Sequence, residues 1–340
     1  MEFGLFTEFQ CPAGMSEATA FEESMAQIRA AEALGFDAVW LGELHFQKDR
    51  SVLASPLVVA AAIAACTRRV KIGIAVQVLP LSHPLRLAED VATVDHLSRG
   101  RLDFGVGRSG LPGHYEGFNI PYGESRDRFL ETLEVLVKAW TRERFSHEGR
   151  HYRFRDVCVL PKPYQKPHPP LRVAATSEDT YPMVGRLGYP LFVAVRTTPI
   201  SDLRRFLAGY HAAWRAAGHP GRGDVALLVP VYVAETARQA REEPEASTRH
   251  WFRSIAEALM RSPTRRADAE RLAAASYAEI LAEQVVYGTP EAVAERLRAL
   301  REELGFSSLA VWMNVGARIP HERVLASMRL FADRVAPRLS

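Results

Sequence analysis

Two patterns of apolar residues alternate along this chain. Short runs that are apolar on both faces are followed by longer stretches in which apolar positions recur every three to four residues. Residues 70–106 show both. Val70 to Leu79 is apolar except at Lys71, Gly73 and Gln77, which suits a strand covered on each side. Pro80, Ser82, His83 and Pro84 break the run, and Pro84 stands where a first helical residue tolerates proline. Leu87, Ala88, Val91, Ala92 and Val94 then recur at helical spacing, with Arg86, Glu89, Asp90 and Thr93 opposite, until Gly100 supplies a C-terminal glycine. Leu102 to Val106 reads as the next strand, running into a glycine-dense loop, Gly105-Val106-Gly107-Arg108-Ser109-Gly110.

The same reading predicts further strands over 2–6, 37–41, 171–175, 190–194, 224–234 and 308–312. Helices are expected near 21–34, 54–65, 126–140, 178–187, 200–216, 290–303 and 321–335. Ser125 is a candidate N-cap for the helix at 126, and Thr289 caps a helix whose first residue is Pro290. Two stretches break the rhythm: a proline-punctuated excursion over 141–170 and a mostly helical one over 235–284. Eight strand-then-helix units without a linker predict a single (β/α)₈ barrel domain over 1–340, with a doubly wound sheet as the structural alternative.

Composition narrows the setting. The 340 residues are 47% hydrophobic with a net charge of +3 and dispersed basic residues, so nothing points to nucleic acid. Cys11, Cys66 and Cys158 are far apart and form no CxxC, which argues for a reducing compartment. The N-terminal stretch carries acids where a signal peptide has a basic leader, and Leu53 to Cys66 is too short to span a bilayer. A cytoplasmic enzyme without membrane contact is the expectation. That same stretch is apolar all round, so a second surface should cover it: a partner subunit, or the chain's own excursions.

Barrel chemistry sits at the C-terminal ends of the strands, which nominates Glu43, His45, Gln77, Arg108, Thr176, Ser177, Arg196 and Asn314. The glycine run matches G-x-G-x-x-G, but loop rather than helix follows it, so a dinucleotide fold is excluded. A glycine loop that lets an anion reach the backbone remains, with Arg108 to hold it; a turn with a solvated arginine reads equally well. Thr176 to Thr180 opens a helix after a strand, which suits a phosphate or an ordinary cap. Arg108 and Arg126 add weight to the phosphate, while Glu178 and Asp179 count against it unless they point outward. His45 beside Glu43 reads as a general base or substrate donor, or as a structural histidine. No HExxH, paired-cysteine metal spacing, P-loop or GxSxG elbow is present. Over 235–284, a mouth-covering lid and a solvated helix pair are both compatible with the Arg- and Glu-rich composition.

Taken together, the chain resembles the bacterial luciferase-like flavin monooxygenases over essentially its whole length. The resemblance rests on His83-Pro84 leading into Leu87-Ala88-Glu89-Asp90, on Asp95 to Arg101, on Phe104 to Arg108, and on Tyr287-Gly288-Thr289-Pro290-Glu291. It implies a barrel that binds reduced FMN delivered by an NAD(P)H:flavin reductase, and that oxygenates a small molecule with O₂ through a C4a-(hydro)peroxyflavin. By position it assigns Arg108, Arg126, Ser177 and Thr180 to the FMN phosphate, and Thr176 to a flavin contact where luciferase has glutamate. Ala75-Val76 falls where the family often has a non-proline cis peptide beneath the flavin ring. Glu43 and His45 take the catalytic positions; Gln77, Tyr115, Phe118, Arg196 and Trp312 are candidates for the substrate pocket. Helices near 54–65 and 85–97 would form a homodimer interface. Two departures stand out: Leu44 replaces a luciferase histidine, and Gly107 its reactive cysteine, so aldehyde-driven light emission is not expected. An F420-dependent hydride-transfer enzyme on the same barrel, and a non-catalytic flavin-binding homologue, are the alternatives.

Overall fold

The computed structural model of the chain describes residues 1–195, 198–262 and 265–339. Strand β1 (Glu2–Thr7) leads through α1 (Glu17–Ala33) to β2 (Ala38–Leu41), α2 (Pro56–Cys66), β3 (Lys71–Val78), α3 (Pro84–Ser98) and β4 (Leu102–Gly107). The short α4 (Pro112–Gly117) precedes α5 (Ser125–Thr141), and an antiparallel hairpin follows, β5 (Phe145–Glu148) with β6 (Arg153–Val157). The alternation resumes with β7 (Leu171–Ala174), α6 (Thr180–Leu187), β8 (Leu191–Ala194), α7 (Ile200–Ala216) and β9 (Val225–Val233). Helices α8 (Ala237–Glu242), α9 (Glu245–Met260), α10 (Arg266–Ala274) and α11 (Tyr277–Glu283) intervene before β10 (Val286–Gly288) and α12 (Pro290–Leu304). Strand β11 (Ser308–Trp312) and α13 (His321–Leu330) come last.

Eight of these strands pair in parallel around a closed ring, β1-β2-β3-β4-β7-β8-β9-β11 and back to β1. Closure makes this a (β/α)₈ barrel and excludes the doubly wound sheet, which keeps two open edges. The strands are nearly all buried, and their apolar runs reflect cover on both faces. Inside, the Trp40 indole fills a layer made of small residues. A Cβ on Gly4 or Gly73 would lie 2.6 Å and 2.1 Å from that ring, so only glycine fits at either place. At the opposite end from the strand C-termini, Arg172 pairs with Asp103 at 3.0 Å and also with Asp224, tying β4, β7 and the start of β9 together. The two acids and burial offset one another around Arg172, and the pairing keeps that guanidinium charged.

Several boundaries differ from the sequence expectation. Helix α1 begins at Glu17 because the Ser16 side chain accepts from the Thr19 N–H, a cap that the apolar pattern alone does not reveal. Ser125 does not cap α5; it is the first helical residue, and its hydroxyl accepts from Arg108 instead. Strand β4 runs one residue beyond the expected end, so that Gly107 belongs to it as Gly105 does. The excursion over 141–170 holds the β5–β6 hairpin, which packs Tyr152 and Phe154 against His83 at the start of α3.

The helical excursion closes one end of the barrel. Trp251, Phe252, Ile255 and Leu259 of α9 form a single buried apolar cluster with Phe6, Trp40, Phe192, Leu228 and Trp312 of the strands. This replaces the reading of α8 to α11 as a solvated pair. On the outside, α2 keeps a bare apolar edge: Val58 is 71% exposed, and Leu97 on the adjacent α3 is 57% exposed. The chain's own excursions do not cover it. Among the described residues, no helix is long and apolar enough to cross a membrane.

Candidate active site

A cleft opens at the C-terminal ends of the barrel strands, with a volume of about 1420 Å³ counting its open mouth. Gly42, Glu43 and Leu44 enter it from the end of β2, Ala75, Val76 and Val78 from β3, and Gly107 to Leu111 from the end of β4. Val173 to Ser177 and Thr180 supply the β7–α6 side, and Ile255 and Leu259 of α9 with Arg265 supply the roof.

The floor depends on β4 having no side chains at two points. The β3–β4 register shifts between Ile74 and Gln77, and the Ala75–Val76 peptide bond there is cis. A Cβ on Gly105 would lie 2.2 Å from the Ile74 carbonyl oxygen, and one on Gly107 would lie 2.6 Å from Val76. These glycines let β3 press against β4, which sets Ala75 and Val76 at the bottom of the cleft.

One end of the cleft is rich in donors. The Ser177 and Thr180 hydroxyls are 2.8 Å apart at the start of α6, and Thr176 lines the wall beside them. Arg108 lines the same space, steadied through Nη1 by the Ser125 hydroxyl at 3.2 Å, while the Tyr115 hydroxyl donates to its carbonyl oxygen. Of the two acids of this turn, only Glu178 points away from these donors. Glu178 pairs outward with Arg205, and Asp179 pairs with Arg126. The Ser177 hydroxyl and the Arg126 guanidinium hold the Asp179 carboxyl below the usual range. Arg126 lies at the rim, 44% exposed, outside the cleft lining.

The other end carries a buried acid. Glu43 Oε2 accepts the Val78 N–H at 2.8 Å, and Oε1 lies 2.7 Å from His45 Nε2. Burial pushes the Glu43 carboxyl up, against the opposing pull of those two contacts. His45 itself does not line the cleft. Its ring packs edge-on against Phe118 and His114, at 4.9 Å and 5.6 Å.

The structure therefore gathers Glu43, Ala75, Val76, Arg108, Thr176, Ser177 and Thr180 around one space. It leaves four other expected residues outside the lining. Gln77 is buried within β3, and Tyr115 is buried behind Arg108. Phe118 is 42% exposed against Phe46, and Trp312 lies in the barrel core edge-on to Phe6 and Trp251. Asn314, also nominated from its strand end, bonds instead to the Ile319 backbone. Arg196 lies outside the described residues. Sequence reasoning missed His114 and Arg265. Both come from stretches without a strand end to flag them, although His114 stands five residues after Ser109, whose hydroxyl it meets.

Comparisons with known proteins bear on the family and the fold. The family model described as luciferase-like monooxygenase matches residues 1–308. The uncharacterized protein y4vJ of Sinorhizobium fredii (strain NBRC 101917 / NGR234) is 34% identical over 178 residues, which span 52% of this chain but only 50% of that relative. The oxygenase component of the flavin-dependent trigonelline monooxygenase of Acinetobacter baylyi (strain ATCC 33305 / BD413 / ADP1) is 25% identical, with 100% of this chain and 96% of the relative covered. Among solved structures, the monooxygenase RslO1 from Streptomyces bottropensis superposes with a TM-score of 0.86 at 31% identity, covering 100% of both chains. The oxygenating constituent of 3,6-diketocamphane monooxygenase from Pseudomonas putida, solved in complex with FMN, shares the fold. Its TM-score is 0.85 at 22% identity, over 100% of this chain and 99% of that one. With the closed barrel, the cleft at its strand ends and a family match over most of its length, this chain belongs to the luciferase-like monooxygenase family.

Proposed function

We propose that the cleft binds reduced FMN, supplied by a separate NAD(P)H:flavin reductase, and uses O₂ to oxygenate a small organic substrate. The observation that carries this reading is the donor set at the β7–α6 turn. Arg108, Ser177, Thr180 and the start of α6 converge there, which is the chemistry that a phosphate monoester requires, and a bound phosphate would take over from Asp179 its contacts with Ser177 and Arg126. Ala75 and Val76 would lie under the flavin ring, and Thr176 beside it. Arg126 would complete the phosphate clamp from the rim. When bound, FMN supplies the reducing electrons for oxygen chemistry.

The chain's own residues supply the rest. Glu43, fixed by the Val78 N–H, orients the His45 ring. Ile255 and Leu259 close the roof with apolar surface and keep water from the reacting atoms. The printed name of the trigonelline relative, an oxygenase component, supports a two-component system. The printed name of that relative, flavin-dependent, supports a flavin as the cofactor. The exposed edge of α2 and α3 supports a homodimer built through those helices.

The test is a titration with reduced FMN without air, followed by rapid mixing with oxygenated buffer. The expected results are binding and reoxidation slower than that of free reduced FMN. Arg108→Ala should weaken FMN binding tenfold to a hundredfold, roughly the 1.5–3 kcal/mol of a hydrogen bond to a charged group. Unchanged affinity removes Arg108 from the clamp. Preferential binding of reduced F420, with FMN reoxidising as in free solution, moves the chain to hydride transfer.

A further inference from the structure

Beside the Glu43–His45 pair, the cleft holds a second imidazole. His114 sits on α4, is 2% exposed and lines the cleft, yet its Nε2 has no hydrogen-bond partner in the protein. An orphaned nitrogen buried at a cavity wall is costly unless something bound there meets it.

One arrangement of the protons leaves the ring a donor towards the cleft. The Ser109 Oγ accepts the Leu111 N–H at 3.2 Å and lies 3.2 Å from His114 Nδ1. With the Ser109 hydroxyl as the donor to Nδ1, both of its bonds are used. The neutral ring then bears its hydrogen on Nε2 and is a donor towards the cleft. Burial, together with the nearby charges of His45 and Arg50, pushes the His114 pKa down to about 4, so the ring is neutral at physiological pH. Arg50 is itself held by the Glu8 carboxylate, at 3.2 Å and 3.3 Å. The same cleft is lined by the apolar Leu44, Leu111, Ile255 and Leu259.

We propose that His114 Nε2–H donates a hydrogen bond to a neutral carbonyl oxygen of the substrate, which makes the substrate a largely apolar ketone or lactone. A carboxylate suits the place less well, because the buried Glu43 carboxyl lies at the same end of the cleft. The proposal rests on the reading of the cleft as a flavin monooxygenase site, but its test does not require flavin.

Two measurements on the full-length protein decide it. Imidazole nitrogen NMR on ¹⁵N-histidine-labelled protein should show His114 as the neutral Nε2–H form from pH 8 to pH 5. An Nδ1–H form, or an imidazolium at pH 7, overturns the proposal. Second, a panel of cyclic and bicyclic ketones is titrated, each paired with the hydrocarbon that lacks the oxygen. At least one ketone should bind about 3- to 10-fold more tightly than its hydrocarbon, the net worth of one hydrogen bond. His114→Phe should erase that preference, and His114→Asn, which keeps an N–H donor, should restore part of it. If no pair is distinguished, or if the preference survives His114→Phe, the proposal is wrong. FMN binding by the wild-type chain, followed in parallel by fluorescence, tests the flavin reading separately. If the wild-type chain binds no FMN, the flavin reading fails, and the ketone comparison still stands on its own.

Discussion

At the scale of the residue, the site is built from groups whose partners decide their charge. Glu43 is a buried carboxyl held by one backbone N–H and one imidazole. Removing the imidazole raises its pKa further, because a contact that lowers it is lost while the burial remains. A carboxyl with a raised folded-state pKa contributes stability below its unfolded pKa and loses it as pH rises through the folded value. His45→Ala should therefore be more destabilising at pH 8 than at pH 5, as read from thermal melts of both proteins at each pH. Equal losses at the two pH values would show that Glu43 does not depend on His45. Strand-end logic made Glu43, Arg108 and Ser177 legible in the sequence, and the family resemblance added Thr180. It did not show that the His45 ring turns away towards Phe118, nor that Ser125 serves Arg108 rather than its own helix. Rotamers and tertiary partners choose among such options, and a linear pattern carries neither.

At the scale of the element, apolar periodicity located all eight barrel strands and the helices between them, because each must bury one face against the same core. What it misjudged were stretches in which the backbone itself is the constraint. The glycine run is expected to leave the strand after Val106, but Gly107 is still a strand residue, and it and Gly105 admit the close approach of β3. Gly105→Ala would force a Cβ against the Ile74 carbonyl and shift the cleft floor. It should cost about 1–3 kcal/mol in chemical denaturation, the usual penalty for overpacking, and weaken FMN binding as well. Loss of stability with FMN affinity intact would separate the floor from the cofactor. The 141–170 hairpin escaped notice because its prolines and histidines mask a short alternating pair. Composition alone left the 235–284 excursion open between two readings; the apolar face of α9 settles its packing.

At the scale of the whole molecule, the bare edge of α2 matters most. An apolar helix flank with Val58 71% exposed is the kind of patch that a soluble chain covers with a partner. Val58→Asp should leave the melting temperature of the single chain nearly unchanged and shift sedimentation towards a 37.9 kDa species. A wild-type protein that already sediments at that mass would remove the dimer. The barrel's interior has a further consequence. Since α9 shares one apolar cluster with Trp40 and Trp312, lifting it would strip the central staves of the barrel of their packing. A roof anchored in this way predicts a sieve of fixed mesh rather than a hinged door, in which the girth of a molecule at the rim decides whether it enters.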